Sequence, residues 1–189
     1  TITTTGQYGT GLSAQAGARI DAEDVIITLS GPGAIGAGTS STDATISLTR
    51  GRIELKNTAT DSAALAVQQY SNVITNGTLI TTAGKNTHGA KAHGNLSNPI
   101  DPVGSIAVTG GSVTTSGEGS YGLYSIGRSK IDAADTVIET QGSKSHALVI
   151  EAGGQISVRN SIVRTTQNDA VGIYGRGDGS LRPLSVLSQ

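Results

Sequence analysis

Isolated aliphatic residues recur along this chain at a pitch near 25 residues, each set among polar neighbours. Ile20, Ile46, Val73, Ile106, Ile131, Ile156 and Leu181 follow one another at steps of 26, 27, 33, 25, 25 and 25. Seven residues beyond the first six stand Ile27, Ile53, Ile80, Val113, Ile138 and Val163. Eleven residues beyond the same first six stand Gly31, Asn57, Gly84, Gly117, Gly142 and Gln167. A third series, Leu12, Ile35, Leu65, Ala90, Leu123, Leu148 and Ile173, precedes the first. Its usual lead is eight residues, growing to 11 at Ile35 and 16 at Ala90. Internal periodicity of this kind marks a stacked repeat in which each unit buries its apolar side against the next. The pattern predicts seven coils with three apolar ladders, one per face.

The apolar positions come in short alternating bursts such as Ile53-x-Leu55 and Ile156-x-Val158, flanked by Thr and Val and separated by Gly, Asn, Ser and Asp. Alternation and β-branching favour strands over helices. A 25-residue coil is too short for a strand and a crossover helix on every turn, and suits three short strands joined by tight bends. We expect an all-β chain: a parallel β-helix (β-solenoid) of about seven coils, three strands per coil, right-handed by the general rule for parallel crossovers. Equivalent strands then lie ~4.8 Å apart, and each inward aliphatic contributes roughly 1.5–3 kcal/mol. Gly or Asn at the eleventh position is expected to supply a bend with positive φ.

Composition sharpens this picture. The 189 residues include 27 Gly and five Tyr but no Cys, Met, Trp or Phe. The core must therefore be built from thin layers of Ile, Val, Leu and Ala. Charged residues make up 14% and the net charge is −1, which removes the electrostatic basis for binding nucleic acid or an anionic membrane. Without Cys there is neither a disulfide scaffold nor a thiolate metal site. No apolar run approaches the roughly 18 residues of a membrane-spanning helix. The opening "TITTTGQYGTG" has no basic and apolar regions of a signal peptide. Both ends fall inside a coil, so residues 1–189 are expected to be one segment of a longer solenoid.

A coil reading roughly "G-L-x-S/V-x…G-x-x-I-x-A/V-x-x-x-x-V-I-x-T-x-G", clearest over Ser120 to Ser180, resembles the passenger domains of Gram-negative autotransporters of the pertactin-like class. The resemblance implies a β-helix displayed on the bacterial surface or secreted, carried across the outer membrane by a C-terminal barrel. It implies an adhesin or virulence factor that binds a host cell-surface or matrix protein or glycan. The alternatives within the family are a module that associates with another copy of itself, in aggregation or biofilm, and a structural stalk. Some passengers carry protease or esterase activity elsewhere in their chains. No catalysis and no cofactor are expected in this segment.

Several residues stand out against this background. Arg176-Gly177-Asp178, inside "GRGDGS", matches the tripeptide read by integrins, while the same glycines also suit a plain corner between Ile173 and Leu181. The 33-residue step is caused by "HGNLSNPIDPVG", whose two prolines and eight extra residues predict a protruding loop over 94–104. Loops on rigid scaffolds commonly carry recognition, and Asn98, Ile100 and Asp101 are its candidate contacts. His88, Tyr121 and His146 hold equivalent places two residues before the third ladder and are expected to stack. Tyr124, Val149 and Tyr174, one residue after that ladder, are expected to form a separate outward stripe, either a partner-binding surface carried by Tyr124 and Tyr174 or ordinary surface covering. A metal site is not expected, since no third ligand accompanies the histidines. Asp21 and Asp24 recur as Asp132 and Asp135, but four coils away. Carboxylates so far apart do not assemble an acid/base pair.

Overall fold

The computed structural model describes residues 1–68, 70–94, 104–178 and 180–186. Among these the chain is all strand and bend, with no helix. It winds as a parallel β-solenoid of seven coils with three faces. One coil runs Leu123–Ile126 on face 1, Lys130–Ala134 on face 2 and Val137–Thr140 on face 3. Face 1 is a sheet of seven strands, from Thr10–Ala14 in the first coil to Ile173–Arg176 in the last. Faces 2 and 3 belong to one 13-stranded sheet, joined where the long strand Gln155–Thr165 bends through both. Every pairing is parallel, each strand lying against its counterpart one coil away.

The first predicted ladder is a column on face 2: Ile20, Ile46, Val73, Ile106, Ile131, Ile156 and Leu181 are successive register partners. The five central members are completely buried. The second is the equivalent column on face 3, extended by Ile2. On face 1 the ladder runs Leu12, Ala37, Leu65, Ala90, Leu123, Leu148 and Ile173. Ile35, expected in that ladder, pairs instead with Thr10 and Ala63. Ala37 is the fully buried member. Regular spacing, not side-chain bulk, decides which residue points inward.

The eleventh-position glycines work differently from expectation. None of Gly31, Gly84, Gly117 and Gly142 has positive φ, and neither has Asn57 or Gln167. Here glycine is required by close approach: a Cβ on Gly117 would lie 1.9 Å from the Gly84 carbonyl oxygen, and one on Gly142 2.0 Å from that of Gly117. The left-handed bends fall beside them. Tyr8, Gly33, Asp61, Asn86, Gly119, Lys144 and Asp169 turn the chain from face 3 to face 1, with φ between 51 and 68°. Asp24, Arg50, Gly77, Gly110, Asp135 and Asn160 turn it from face 2 to face 3, with φ between 46 and 65°. Asp and Asn tolerate this region better than other residues with a Cβ, which accounts for the recurrence of Asp24 as Asp135.

Bending the backbone strands its polar groups inside, and a column of hydroxyls satisfies them. At the face 3 to face 1 corner Ser62, Thr87, Ser120 and Ser145 are all buried. Ser62 Oγ accepts from the Ala34 amide at 2.8 Å, Ser120 Oγ from Thr87 at 2.9 Å and Ser145 Oγ from Ser120 at 3.1 Å. Ser120 also donates to the Gly84 carbonyl at 2.9 Å and Ser145 to that of Gly117 at 2.8 Å. The central coils, from the corner at Ala34 to that at Ser145, are thereby stitched to one another.

Candidate functional site: a ring column and cleft on face 1

Three of the five tyrosines and two of the three histidines form one ring cluster on face 1. Strict alternation would send residues two before and one after the ladder to opposite sides of the sheet. Two consecutive residues point inward here, Ala64 with Leu65, and Ala147 with Leu148. The first must be small: a Cβ on Gly89 would lie 2.2 Å from Val113 Cγ1, and one on Gly122 2.7 Å from Ile138 Cγ2. This double inward step brings the positions on either side of it out on the same surface. Hence the two predicted columns are one cluster.

His88 stacks on Tyr121 with centroids 4.9 Å apart and planes 22° apart; Tyr121 stacks on His146 at 5.5 Å and 12°. His146 then stacks on Tyr174 at 5.0 Å and 19°. Tyr174 takes the place that strict equivalence gives to the exposed Val171. Tyr124 meets His88 and Tyr121 edge-on, at 5.3 and 5.4 Å. Val149, expected in an open stripe, is fully buried in register between Tyr124 and Tyr174. Tyr174 itself is 37% exposed. Offset stacks of this geometry are worth ~0.5–1.5 kcal/mol per pair beyond burial.

Polar contacts fix the ring tautomers. His88 Nδ1 accepts the Tyr121 amide hydrogen and His146 Nδ1 accepts that of Val171, each at 3.0 Å. Each imidazole is therefore a neutral ring with its proton on Nε2. Burial, helped by the Lys91 ammonium, pushes the His88 pKa down to about 3, and burial lowers that of His146. The Tyr124 hydroxyl donates to Glu151 at 2.9 Å. Burial first, then that bond and the charge of Glu151, push its pKa well up. Burial and the charge of Glu151 also raise that of Tyr121.

The column stops abruptly. In the coil before His88, both ring positions are alanines: Ala63 is the partner of His88 and Ala66 of Lys91. One coil further back stands Ile35. The result is a half-open cleft of about 290 Å³ between His88 and Ile35, over Ala63 and Ala66. Its rim carries Asp61 and Asn86 at one side and Gln68, Lys91 and His93 at the other. Asn86 Nδ2 donates to Asp61 Oδ1 at 3.0 Å. Lys91 Nζ lies 5.8 Å from the Tyr124 ring centre, and among the described residues it has no carboxylate partner. The two alanines that make the cleft are unremarkable in the sequence. Their signal is the gap they leave in a column of rings.

The other sequence candidates lie as follows. Arg176 closes the last face 1 strand, Gly177 follows with φ 74°, and both they and Asp178 are exposed. Gly177 stands at the corner where Gly127 and Gly153 also have positive φ, so it serves the bend as well as any recognition. Asn98, Ile100 and Asp101 lie outside the described residues. Asp21 is paired with Arg19 at 2.7 Å and Asp132 with Lys130 at 2.8 Å. Among the described residues no three His, Asp or Glu side chains are placed to hold a metal ion. No protein-family model, curated protein or solved structure matches this chain.

Proposed function

We propose that this solenoid is a stretch of an autotransporter passenger of the pertactin-like class, displayed on or released from a Gram-negative surface, and that it works as an adhesin. The observation that carries the reading is the concentration of recognition chemistry on face 1. The ring column occupies that face, and Arg176-Gly177-Asp178 leaves the end of the same strand that supplies Tyr174. Residues 94–104 follow directly on another face 1 strand, His88–His93. A rigid scaffold holding side chains in register is suited to binding a host protein or glycan, and no chemical step is assigned to it. The test is attachment of host cells to immobilised protein. Tyr174→Ser and Asp178→Glu are expected to reduce attachment, while Leu79→Ser on face 3 leaves it unchanged. Loss with Leu79→Ser alone would overturn the assignment to face 1.

Side-by-side association of copies is favoured by a different observation. Ile26, Ile74 and Leu79, on faces 2 and 3, are 44–47% exposed. Sedimentation velocity of Leu79→Ser against the wild type distinguishes the two readings, since only association predicts a change in mass.

A further inference from the structure

From the missing ring over Ala63 we infer a ligand site: the face 1 cleft binds one planar aromatic ring that bears an acidic group at one end and a hydrogen-bond donor at the other. This goes beyond the adhesive reading and stands independently of it.

The shape argument comes first. Between the coils of Ile35 and His88 lie two strand spacings, about 9–10 Å, and at the two ring positions the intervening coil offers only the methyl groups of Ala63 and Ala66. Rings elsewhere in the column follow one another at 4.9–5.5 Å. One flat ring laid over Ala63 and Ala66 therefore continues the stack from His88, with Ile35 as its other wall. Tyr121 covers one face of the His88 ring and Tyr124 its edge. His88 lines the cleft and is 9% exposed in all, so a guest reaches the part of that ring left open there.

Charge then orients the guest. Asp61 stands at one side of the slot and Lys91 at the other. The Asn86 amide already donates to one Asp61 oxygen, leaving the second oxygen to accept from a hydroxyl or amine on the ring. Among the described residues Lys91 meets an aromatic face and no carboxylate, and a carboxylate on the guest gives it a charge-assisted partner. A saturated sugar acid satisfies the polar rim but cannot stack as a flat ring, so the aromatic guest is favoured.

The probe is 4-hydroxyphenylacetate, titrated into the full chain and followed by NMR of the His88 ring protons. We expect saturable binding with Kd on the order of 1 mM, the range open to a ligand of this size, with His88 shifted by the guest's ring current. 4-Hydroxyphenylacetamide should bind about tenfold more weakly, as should 4-hydroxyphenylacetate to Lys91→Met. Ala63→Tyr places the protein's own ring in the slot and should abolish binding while the fold persists by circular dichroism. Equal or tighter binding of cyclohexaneacetate or glucuronate would overturn the planar-ring assignment. No saturation with the wild type, or undiminished binding to Ala63→Tyr, would overturn the site.

Discussion

Ser145 Oγ accepts the amide hydrogen of Ser120 at 3.1 Å, one coil away, while donating to the carbonyl of Gly117. Both residues are completely buried, so this single hydroxyl answers two backbone groups that water cannot reach. Ser145→Ala removes both bonds at once. We expect a loss of about 2–4 kcal/mol, one unsatisfied donor and one acceptor at roughly 1–3 kcal/mol each less partial relaxation. Ser143→Ala, two residues away and exposed, should stay within ~0.5 kcal/mol. Urea denaturation of the two variants checks the difference.

Gly117→Ala places its methyl 1.9 Å from the Gly84 carbonyl oxygen, a backbone atom that cannot step aside. Coils must separate locally, and we expect destabilisation of more than about 3 kcal/mol. Gly6 has open space around its Cβ position and no positive φ. Gly6→Ala should be neutral or gain up to ~1 kcal/mol through the unfolded state. Equal effects at the two positions, read from thermal melts, would contradict close approach as the reason for glycine.

Lys144 sits exposed at a corner with φ 55°, where a Cβ costs roughly 1–2 kcal/mol. The equivalent residue one coil earlier is Gly119, with φ 65°. Lys144→Gly should therefore raise stability by about 0.5–1 kcal/mol, the relief of strain less the added entropy of the unfolded chain. A fall in the melting temperature would contradict the strain.

The buried imidazole makes stability depend on pH. Native His88 stays neutral down to about 3, whereas an unfolded histidine takes up its proton near 6.5. Below 6.5 the unfolded state binds more protons, so stability declines as pH falls, at up to about 1.4 kcal/mol per pH unit. By pH 5 the loss is roughly 2 kcal/mol, and it ends only where native His88 itself protonates. Asp21, Glu54 and Glu139, whose pKa values their Arg or Lys partners lower, add their own loss only at more acidic pH. His88→Asn keeps an acceptor for the Tyr121 amide but does not titrate. It should reduce the decline between pH 7 and 5, the remainder coming from His146, whose pKa burial also lowers, and an unchanged slope would exclude His88 as a source.

The winding was legible because the largest energies are periodic: burial of Ile106, Ile131 and Ile156 recurs every 25 residues whatever surrounds them. Where position rather than bulk selects the inward residue, the sequence misled, and Ile35 stood for Ala37. At the eleventh position, close approach between coils leaves the same mark in the sequence as a left-handed bend. The stack of His88, Tyr121 and His146 was legible from their equivalent places in successive coils. That Tyr124 and Tyr174 join it was not, because two inward residues in succession, such as Ala64 and Leu65, break the alternation from which outward stripes are read. Its cleft is a relation between coils, and no single residue announces it.

The turn from face 2 to face 3 has one further consequence. From Ile20 to Ile27, and in each coil through Ile156 to Val163, its two ladders stay seven residues apart, pivoting on one left-handed residue or, at Gly110 and Gly111, on two. All variation in coil length falls on the two seams bordering face 1. Foreign peptides grafted at those seams should leave the spool intact, whereas even one residue added beside Asp135 would throw two faces out of phase together. The molecule thus has a fixed spine along one edge, and its capacity to change by insertion lies entirely on the other two.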